Sequence, residues 1–97
     1  MKKRILELDK KYLWHPFTPV KKNNPIIISS AKDEILKDID GKEYVDLISS
    51  WWVNIHGHCH EHINQRIKNQ SEKLEQVLFA GFTHQPAVKL AEELSKI

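Results

Sequence analysis

The sequence predicts an α/β fold in which a small antiparallel β-meander is followed by two amphipathic helices. A run of three isoleucines from Ile26 opens the meander, and Pro25 before it is tolerated at the start of a strand. Asp40-Gly41 predicts a tight turn, since glycine accepts the positive φ that such a turn needs. Apolar residues at helical spacing then dominate the last third of the chain.

The chain is predicted to form one segment with four kinds of structure. The stretch before the meander holds Pro16 and Pro19, and it is expected to be irregular apart from a short helical turn over Ile5–Lys11. The predicted parts are an irregular stretch over 1–24, the meander over 25–47, an aromatic and histidine-rich loop over 48–61, and helices over about 62–78 and 86–97.

The two helices are predicted from the spacing of their apolar residues. The first is marked by residues that lie four, seven and four positions apart, which are Ile63, Ile67, Leu74 and Leu78. Gly81 is expected near its C-terminal cap, and Pro86 suits the first turn of the next helix. That second helix is predicted to be still helical at Ile97, because no glycine or proline interrupts it.

Composition restricts the classes of function. A formal net charge of +2 over 97 residues is too small to indicate nucleic acid binding, and the lysine pairs are interpreted as solvated surface. No apolar run approaches the roughly 20 residues that span a bilayer, and no signal peptide is recognisable, so a cytoplasmic protein without a membrane partner is expected. The single cysteine, Cys59, precludes an intrachain disulfide and fits a reducing compartment.

Familiar catalytic and binding motifs give little support for a hydrolase, a nucleotide-binding loop or a calcium site. No phosphate-binding glycine run occurs among the three glycines. Ser49 and Ser50 precede several histidines, but there is no G-x-S-x-G elbow, and no carboxylate is clearly placed to orient a histidine. The stretch from Asp38 to Gly41 resembles the start of a calcium loop but lacks its later ligands, and it is interpreted as turn chemistry.

Histidines alternate along the predicted loop, with Cys59 among them. They are His56, His58, His60 and His62. In an extended strand the four imidazoles would share one face, and imidazole and thiolate are good zinc ligands. Structural zinc sites usually pair two separated ligand clusters, however, and no second cluster exists. A histidine-rich loop at a helix start is the preferred interpretation, with a small zinc-binding domain as an alternative.

Trp51 and Trp52 give the clearest indication of a binding site. Two large rings set among small and polar residues, just after a predicted strand, suit the wall of a pocket for a flat or long apolar ligand. A second aromatic stretch, residues 12–18, lies upstream. Core packing is the competing explanation, and alternating geometry would let one ring face a core and the other a cavity.

Five short stretches spread over residues 12–94 form a specific combination. They are Trp14-His15-Pro16-Phe17-Thr18, Asp40-Gly41-x-x-Tyr44-x-Asp46, Ser49-Ser50-Trp51-Trp52, His56-Gly57, and Phe79-x-Gly81-Phe82-Thr83-His84-x-Pro86-Ala87. Together they resemble the N-terminus of the adenosylmethionine-8-amino-7-oxononanoate aminotransferase family of biotin synthesis, within the class III pyridoxal-phosphate aminotransferases. The second stretch indicates only class III, whereas the first and third point to the biotin branch.

The resemblance implies the N-terminal part of a fold-type I pyridoxal-phosphate transferase. In that fold a large α/β domain binds the cofactor, both chain ends build a smaller domain, and a homodimer forms its sites at the subunit interface. The implied reaction moves the amino group of S-adenosylmethionine, via pyridoxal 5'-phosphate, to 8-amino-7-oxononanoate and gives 7,8-diaminononanoate. A variant of the family uses lysine, so the resemblance leaves the amino donor open.

The resemblance also implies which residues bind substrate. Trp51 matches a tryptophan that lines the substrate site, and Trp52 lies beside it. Phe17 stands where many family members have tyrosine, so it keeps the stacking surface and lacks the hydroxyl. The Schiff-base lysine, the aspartate on the pyridine nitrogen, the phosphate loop and the carboxylate-binding arginine have no counterpart here. We therefore expect no catalytic, cofactor-binding or metal residue in this chain, and no activity from it alone.

A different class of function stays open beside this one. The chain would then be a non-catalytic remnant or an interaction module that assembles with a separately encoded remainder. Three short strands and two helices bury little surface, which argues against independent stability. A cooperative thermal transition of the isolated chain would favour the module.

Overall fold

A computed structural model describes the backbone of residues 1–97 and every side chain except that of Lys22. The chain divides into two units, Met1–His60 and Glu61–Ile97. The first unit contains helix α1 (Lys2–Tyr12), a 3-10 turn (Val20–Lys22), strands β1 (Ile28–Lys32), β2 (Ile35–Asp38) and β3 (Glu43–Val45), and a four-residue turn α2 (Ser49–Trp52). The second contains helices α3 (Glu61–Ser71) and α4 (Gln85–Leu94).

The three strands form the predicted antiparallel meander, in the order β1-β2-β3. Leu36 in the middle strand pairs with Ala31 on one side and with Tyr44 on the other. Strand β1 begins at Ile28, later than Pro25, and its register shifts between Ile28 and Ser30. The prediction of a meander within 25–47 is confirmed. The strands cover fewer of these residues than the apolar run from Ile26 suggests, because β1 begins only at Ile28.

The turn between β2 and β3 is held by the buried carboxylate of Asp38. Its Oδ1 accepts hydrogen bonds from the backbone N–H groups of Asp40 and Lys42, each at 2.9 Å. Its Oδ2 accepts one from the Tyr44 hydroxyl, also at 2.9 Å. Gly41 has a φ of +87°, as the turn prediction requires. The Asp38 carboxylate therefore serves the hairpin, in agreement with the interpretation of this stretch as turn chemistry.

Helix α1 is a departure from the sequence prediction. Residues 1–24 were expected to be irregular with a short turn over Ile5–Lys11, whereas the helix covers Lys2–Tyr12. The stretch holds four lysines, an arginine, two leucines and a glutamate, which are all strong helix formers. Its many charges hide the pattern of apolar residues that the prediction relied on. Helix α1 also supplies Asp9, whose carboxylate contacts His15.

Both later helices are shorter than predicted; α3 ends at a serine and α4 ends directly before one. The prediction over about 62–78 is corrected to Glu61–Ser71, so Gly81 is not the cap of this helix. The prediction over 86–97 is corrected to Gln85–Leu94. The Ser71 hydroxyl donates to the carbonyl of Lys68 at 2.9 Å, and Ser95 donates to that of Glu92 at 2.7 Å. Such local side-chain bonds compete with continued helix.

The start of α4 agrees with the sequence. Pro86 occupies the first turn, and the His84 ring accepts a hydrogen bond from the Ala87 N–H at 3.3 Å as the N-cap. The Phe79 ring lies edge-on to His84, with centroids 5.1 Å apart. The stretch from Phe79 to Ala87 thus forms one helix-start motif.

Hydrophobic burial is low throughout the described part of the chain. None of the described hydrophobic side chains is buried, and Asp38 is the one buried polar or charged residue among those described. Within the same residues, no helix has the length and apolar character to cross a membrane. Trp51 is 50% and Trp52 79% exposed, so neither ring is packed in a core formed by the described residues.

Candidate functional site

The candidate site is built on turn α2, whose backbone is left-handed. Ser49, Ser50, Trp51 and Trp52 have φ values of +48°, +46°, +62° and +67°. In this region the Cβ of an L-residue crowds the following carbonyl oxygen, at about 1–2 kcal/mol per residue. The backbone N–H of Trp52 donates to the carbonyl of Ile48 at 2.9 Å and closes the turn. Other contacts must therefore hold four consecutive residues in an unfavourable conformation.

Asp46, which follows strand β3, provides those contacts. Its Oδ1 accepts the backbone N–H of Ser50 at 3.0 Å, and its Oδ2 accepts the Ser50 hydroxyl at 2.7 Å. The same Oδ2 lies 2.7 Å from Nε2 of His58. The Ser50 N–H, followed by His58 and the Ser50 hydroxyl, holds the pKa of Asp46 well below its usual range. The carboxylate therefore stays ionised and acts as an acceptor from both partners.

His58 is itself fixed by the sheet. Its backbone N–H donates to the carbonyl of Asp33 at 2.7 Å, and the N–H of Asp33 donates back at 3.0 Å. Gly57 makes this close approach possible, because a Cβ built on it would lie 3.0 Å from the Asp33 Cα. Its φ of +82° also favours glycine. The loop after α2 is thus pinned to the turn between β1 and β2.

The pairing of Asp46 with His58 is not predicted from the sequence, in which no carboxylate is clearly placed to orient a histidine. The structure corrects this expectation. Twelve positions separate the two residues, and only the loop closure at Asp33 brings them together. The spacing of Asp46 four residues before Ser50 is the one local signal for an aspartate that bonds a following turn. The Ser50 hydroxyl bonds the carboxylate and lies 3.5 Å from His58, so the geometry is not that of an activated nucleophile.

The structure brings two of the three predicted wall residues into contact. The rings of Phe17 and Trp51 have centroids 5.6 Å apart and an interplanar angle of 67°, an edge-to-face pair. Phe17 is 94% exposed. Trp52, the third predicted residue, follows Trp51 on the same left-handed turn. These three exposed aromatic residues are called the aromatic wall below.

The Phe17 side of the wall is also held by an aspartate–histidine pair. Nε2 of His15 lies 3.0 Å from both carboxylate oxygens of Asp9, which belongs to α1. The Thr18 hydroxyl donates to the carbonyl of Pro16 at 2.9 Å and closes a turn around Phe17. Phe17 has a φ of +51°, so it shares the left-handed backbone of Trp51.

The alternating histidines do not form one face. His56, His58 and His60 lie in the loop, while His62 belongs to α3. Within the described residues, no group of three or more histidine, cysteine or acidic side chains is arranged to hold a metal ion. The single cysteine, Cys59, is exposed. The zinc-binding alternative finds no geometric support in this arrangement.

Three of the described lysines make ion pairs at the surface. Lys2 is ion-paired with Asp40, Lys32 lies 3.6 Å from Asp33, and Lys96 lies 2.8 Å from Glu93, all with exposed side chains. A lysine that forms a Schiff base is usually desolvated, so these three do not suit that role.

Comparison with protein families places this geometry in context. The model of the family Aminotransferase class-III matches residues 17–97. A protein of Synechococcus elongatus named adenosylmethionine-8-amino-7-oxononanoate aminotransferase is 52% identical over 87 residues, which are 89% of this chain and 20% of that protein. The chain spans about a fifth of the length of such curated relatives.

Solved structures give the same picture. An adenosylmethionine-8-amino-7-oxononanoate aminotransferase from Methanocaldococcus jannaschii superposes with a TM-score of 0.91 at 34% identity, over 99% of this chain and 23% of the other. An omega transaminase from Pseudomonas jessenii in complex with PMP superposes with a TM-score of 0.86 at 26% identity, over 96% of this chain and 21% of the other.

Proposed function

Because the chain belongs to the class III aminotransferase family, we propose that it is the N-terminal segment of an adenosylmethionine-8-amino-7-oxononanoate aminotransferase. The complete enzyme transfers the amino group of S-adenosylmethionine to 8-amino-7-oxononanoate and forms 7,8-diaminononanoate, a step of biotin synthesis. The names of the similar proteins support this reaction, and the stretches around Phe17 and Trp51 support this branch of the family.

The observation that carries the proposal is the paired ring arrangement of Phe17 and Trp51. Two exposed aromatic side chains from separate parts of the chain meet at 5.6 Å. An edge-to-face pair of exposed rings offers apolar surface that the alkyl chain of a ligand can cover. The acceptor substrate has a long alkyl chain, and each of its methylene groups gains about 0.8 kcal/mol when it leaves water. The aromatic wall is the part of this chain that suits such a ligand.

Phe17 contributes a ring without a polar handle. Its edge-to-face contact with Trp51 fixes the relative orientation of two wall residues. A tyrosine at this position would add a hydroxyl within the same turn. In this protein, recognition at Phe17 rests on packing, and hydrogen bonds to the substrates come from other residues.

The cofactor, the partner subunit and the location belong to the same proposal. Pyridoxal 5'-phosphate, when bound, stabilises the carbanion that forms during amino transfer. The lysine and the phosphate contacts of the cofactor lie in the complete enzyme, outside residues 1–97. The complete enzyme acts as a homodimer in the cytoplasm. The exposed free thiol of Cys59 is compatible with such a reducing compartment.

Replacing Trp51 with alanine in the complete enzyme tests the site. We expect the KM for 8-amino-7-oxononanoate to rise about tenfold, because one wall ring is lost, while kcat changes less. Trp14→Ala is the matched control, since Trp14 is 89% exposed and lies outside the aromatic wall. Steady-state kinetics with S-adenosylmethionine and with lysine as donors also identify the donor. An unchanged KM for both substrates in Trp51→Ala would remove the site assignment.

A further inference from the structure

We propose that Asp46 and His58 are positioning residues, which hold the left-handed turn α2 so that Trp51 is presented to the substrate. The inference rests on the proposed function, because it assigns a task to residues around the aromatic wall. Asp46 and His58 act through the turn and its backbone, not by contact with the reacting atoms.

The first support is the concentration of left-handed backbone at the wall. Phe17, Trp51 and Trp52 have φ values of +51°, +62° and +67°. Bulky residues rarely adopt this conformation. Such strain persists only where surrounding contacts determine the conformation, and it concentrates at binding and active sites. The wall therefore needs an anchor that a relaxed loop would not need.

The second support is the set of bonds that Asp46 makes inside the turn. The Ser50 N–H belongs to the strained backbone itself, and its 3.0 Å bond to Oδ1 is made in the left-handed arrangement. The Ser50 hydroxyl adds a second bond at 2.7 Å. The Asp46 side chain is only 6% exposed, so water competes weakly for these bonds. One carboxylate thus stabilises the residue directly before Trp51.

The third support is the connection of Asp46 to the sheet. Its Oδ2 lies 2.7 Å from Nε2 of His58, and His58 is bonded to Asp33 through both backbone groups. Gly57 permits that approach. The carboxylate is therefore fixed between the strained turn and the rigid sheet. A continuous series of contacts runs from the β1–β2 turn through His58 and Asp46 to the aromatic wall.

A double-mutant cycle in the complete enzyme tests whether Asp46 acts through Trp51. We expect Asp46→Asn to raise the KM for 8-amino-7-oxononanoate about fivefold to tenfold, as for loss of a hydrogen bond to a charged group, with a smaller effect on kcat. In the Trp51→Ala background the same change should add less than about twofold, since the residue it positions is absent. Glu43→Gln, an exposed carboxylate on β3, is the matched control for charge.

A glycine rescue tests the left-handed turn directly. Ser49 has a φ of +48°, and glycine adopts this conformation without penalty. Ser49→Gly should therefore reverse most of the rise in KM that Asp46→Asn causes, whereas Ser49→Ala should reverse none of it. A role of Asp46 in overall folding alone would not separate these two variants.

The outcomes distinguish this inference from the proposed function. If Trp51→Ala raises the KM and Asp46→Asn does not, the positioning role is wrong while the wall stands. Full additivity of Asp46→Asn and Trp51→Ala, or equal rescue by glycine and alanine, would also overturn it. Should Asp46→Asn fail to fold, Ser50→Ala is the alternative, because it removes only the hydroxyl bond to Asp46. Its KM should then rise, and Ser49→Gly should reverse that rise; no reversal would overturn the positioning role.

Discussion

Asp38 at the end of β2 and Asp46 just after β3 place two carboxylates of one hairpin in two structural tasks. Asp38 bonds the N–H groups of Asp40 and Lys42 and so holds the β2–β3 turn. Asp46, eight residues later, holds the turn that carries Trp51. Tyr44 lies between them and donates its hydroxyl to Asp38. The motif Asp40-Gly41-x-x-Tyr44-x-Asp46 is thus a hairpin whose exit is already anchored to the aromatic wall.

These bonds predict that the protein loses stability in acid. Burial opposes a lower pKa at Asp38, but the Lys42 N–H, the Tyr44 hydroxyl and the Asp40 N–H outweigh it, so the pKa falls below the ordinary value of 3.8. The pKa of Asp46 is lowered further. A carboxylate with a depressed pKa in the folded state contributes stability that is fully present above its unfolded pKa. This stability is lost as the pH falls from the unfolded pKa through the folded pKa.

Acid unfolding of the complete enzyme, followed by circular dichroism, checks this expectation. Wild type should lose stability steeply below about pH 4, where the unfolded chain takes up protons that the folded chain refuses. Asp38→Asn should be less stable at pH 7 and show a flatter dependence on pH, while Glu43→Gln should follow wild type. An acid profile of Asp38→Asn parallel to that of wild type would contradict the assignment.

The sequence singles out the aromatic residues of the proposed wall, and it gives no comparable signal for Asp46 and His58. Trp51, Trp52 and Phe17 stand out by type and by their motifs, and the structure brings Phe17 and Trp51 together. Asp46 and His58 carry no comparable local signal, because their contact depends on a backbone closure at Asp33.

At the scale of elements, turn α2 is the part that sequence rules describe least well. Ser49–Trp52 lies within a predicted loop, and local propensity gives no reason for a left-handed turn of serine and tryptophan. Tertiary contacts override propensity there. The meander and the start of α4, by contrast, follow from β-branched residues, Gly41 and Pro86, whose backbone preferences act locally. Helices α3 and α4 end earlier than predicted, next to serine side chains that bond the preceding backbone carbonyls. A prediction based on the spacing of apolar residues does not include such bonds.

Gly57 gives a test of the loop that connects these elements. Gly57→Ala should destabilise the complete enzyme by about 2–3 kcal/mol, from positive φ together with a clash at the Asp33 backbone. Gly81→Ala is the matched control: its φ of +91° is similar to +82° at Gly57, but a Cβ there meets nothing within 4 Å. We expect Gly81→Ala to lower the free energy of unfolding by about 1 kcal/mol. Equal losses in thermal unfolding would show that the contact with Asp33 contributes nothing.

At the scale of the whole molecule, the chain displays apolar surface that it does not cover itself. None of its described hydrophobic side chains is buried, and the exposed ones include Leu90 and Leu94 of α4. The chain also spans about a fifth of its curated relatives. Both observations support a segment completed by the rest of an aminotransferase over the alternative of an independent interaction module, which would need a core of its own.

Activity of a chimera tests the central claim most directly. In it, this chain replaces the stretch that it matches in the Synechococcus elongatus enzyme. We expect the chimera to form 7,8-diaminononanoate from S-adenosylmethionine and 8-amino-7-oxononanoate at a rate within about tenfold of the parent, a loss of at most about 1.4 kcal/mol of transition-state stabilisation. The 97-residue chain alone should form none. A chimera that is folded and binds pyridoxal phosphate, yet forms no product, would contradict the account.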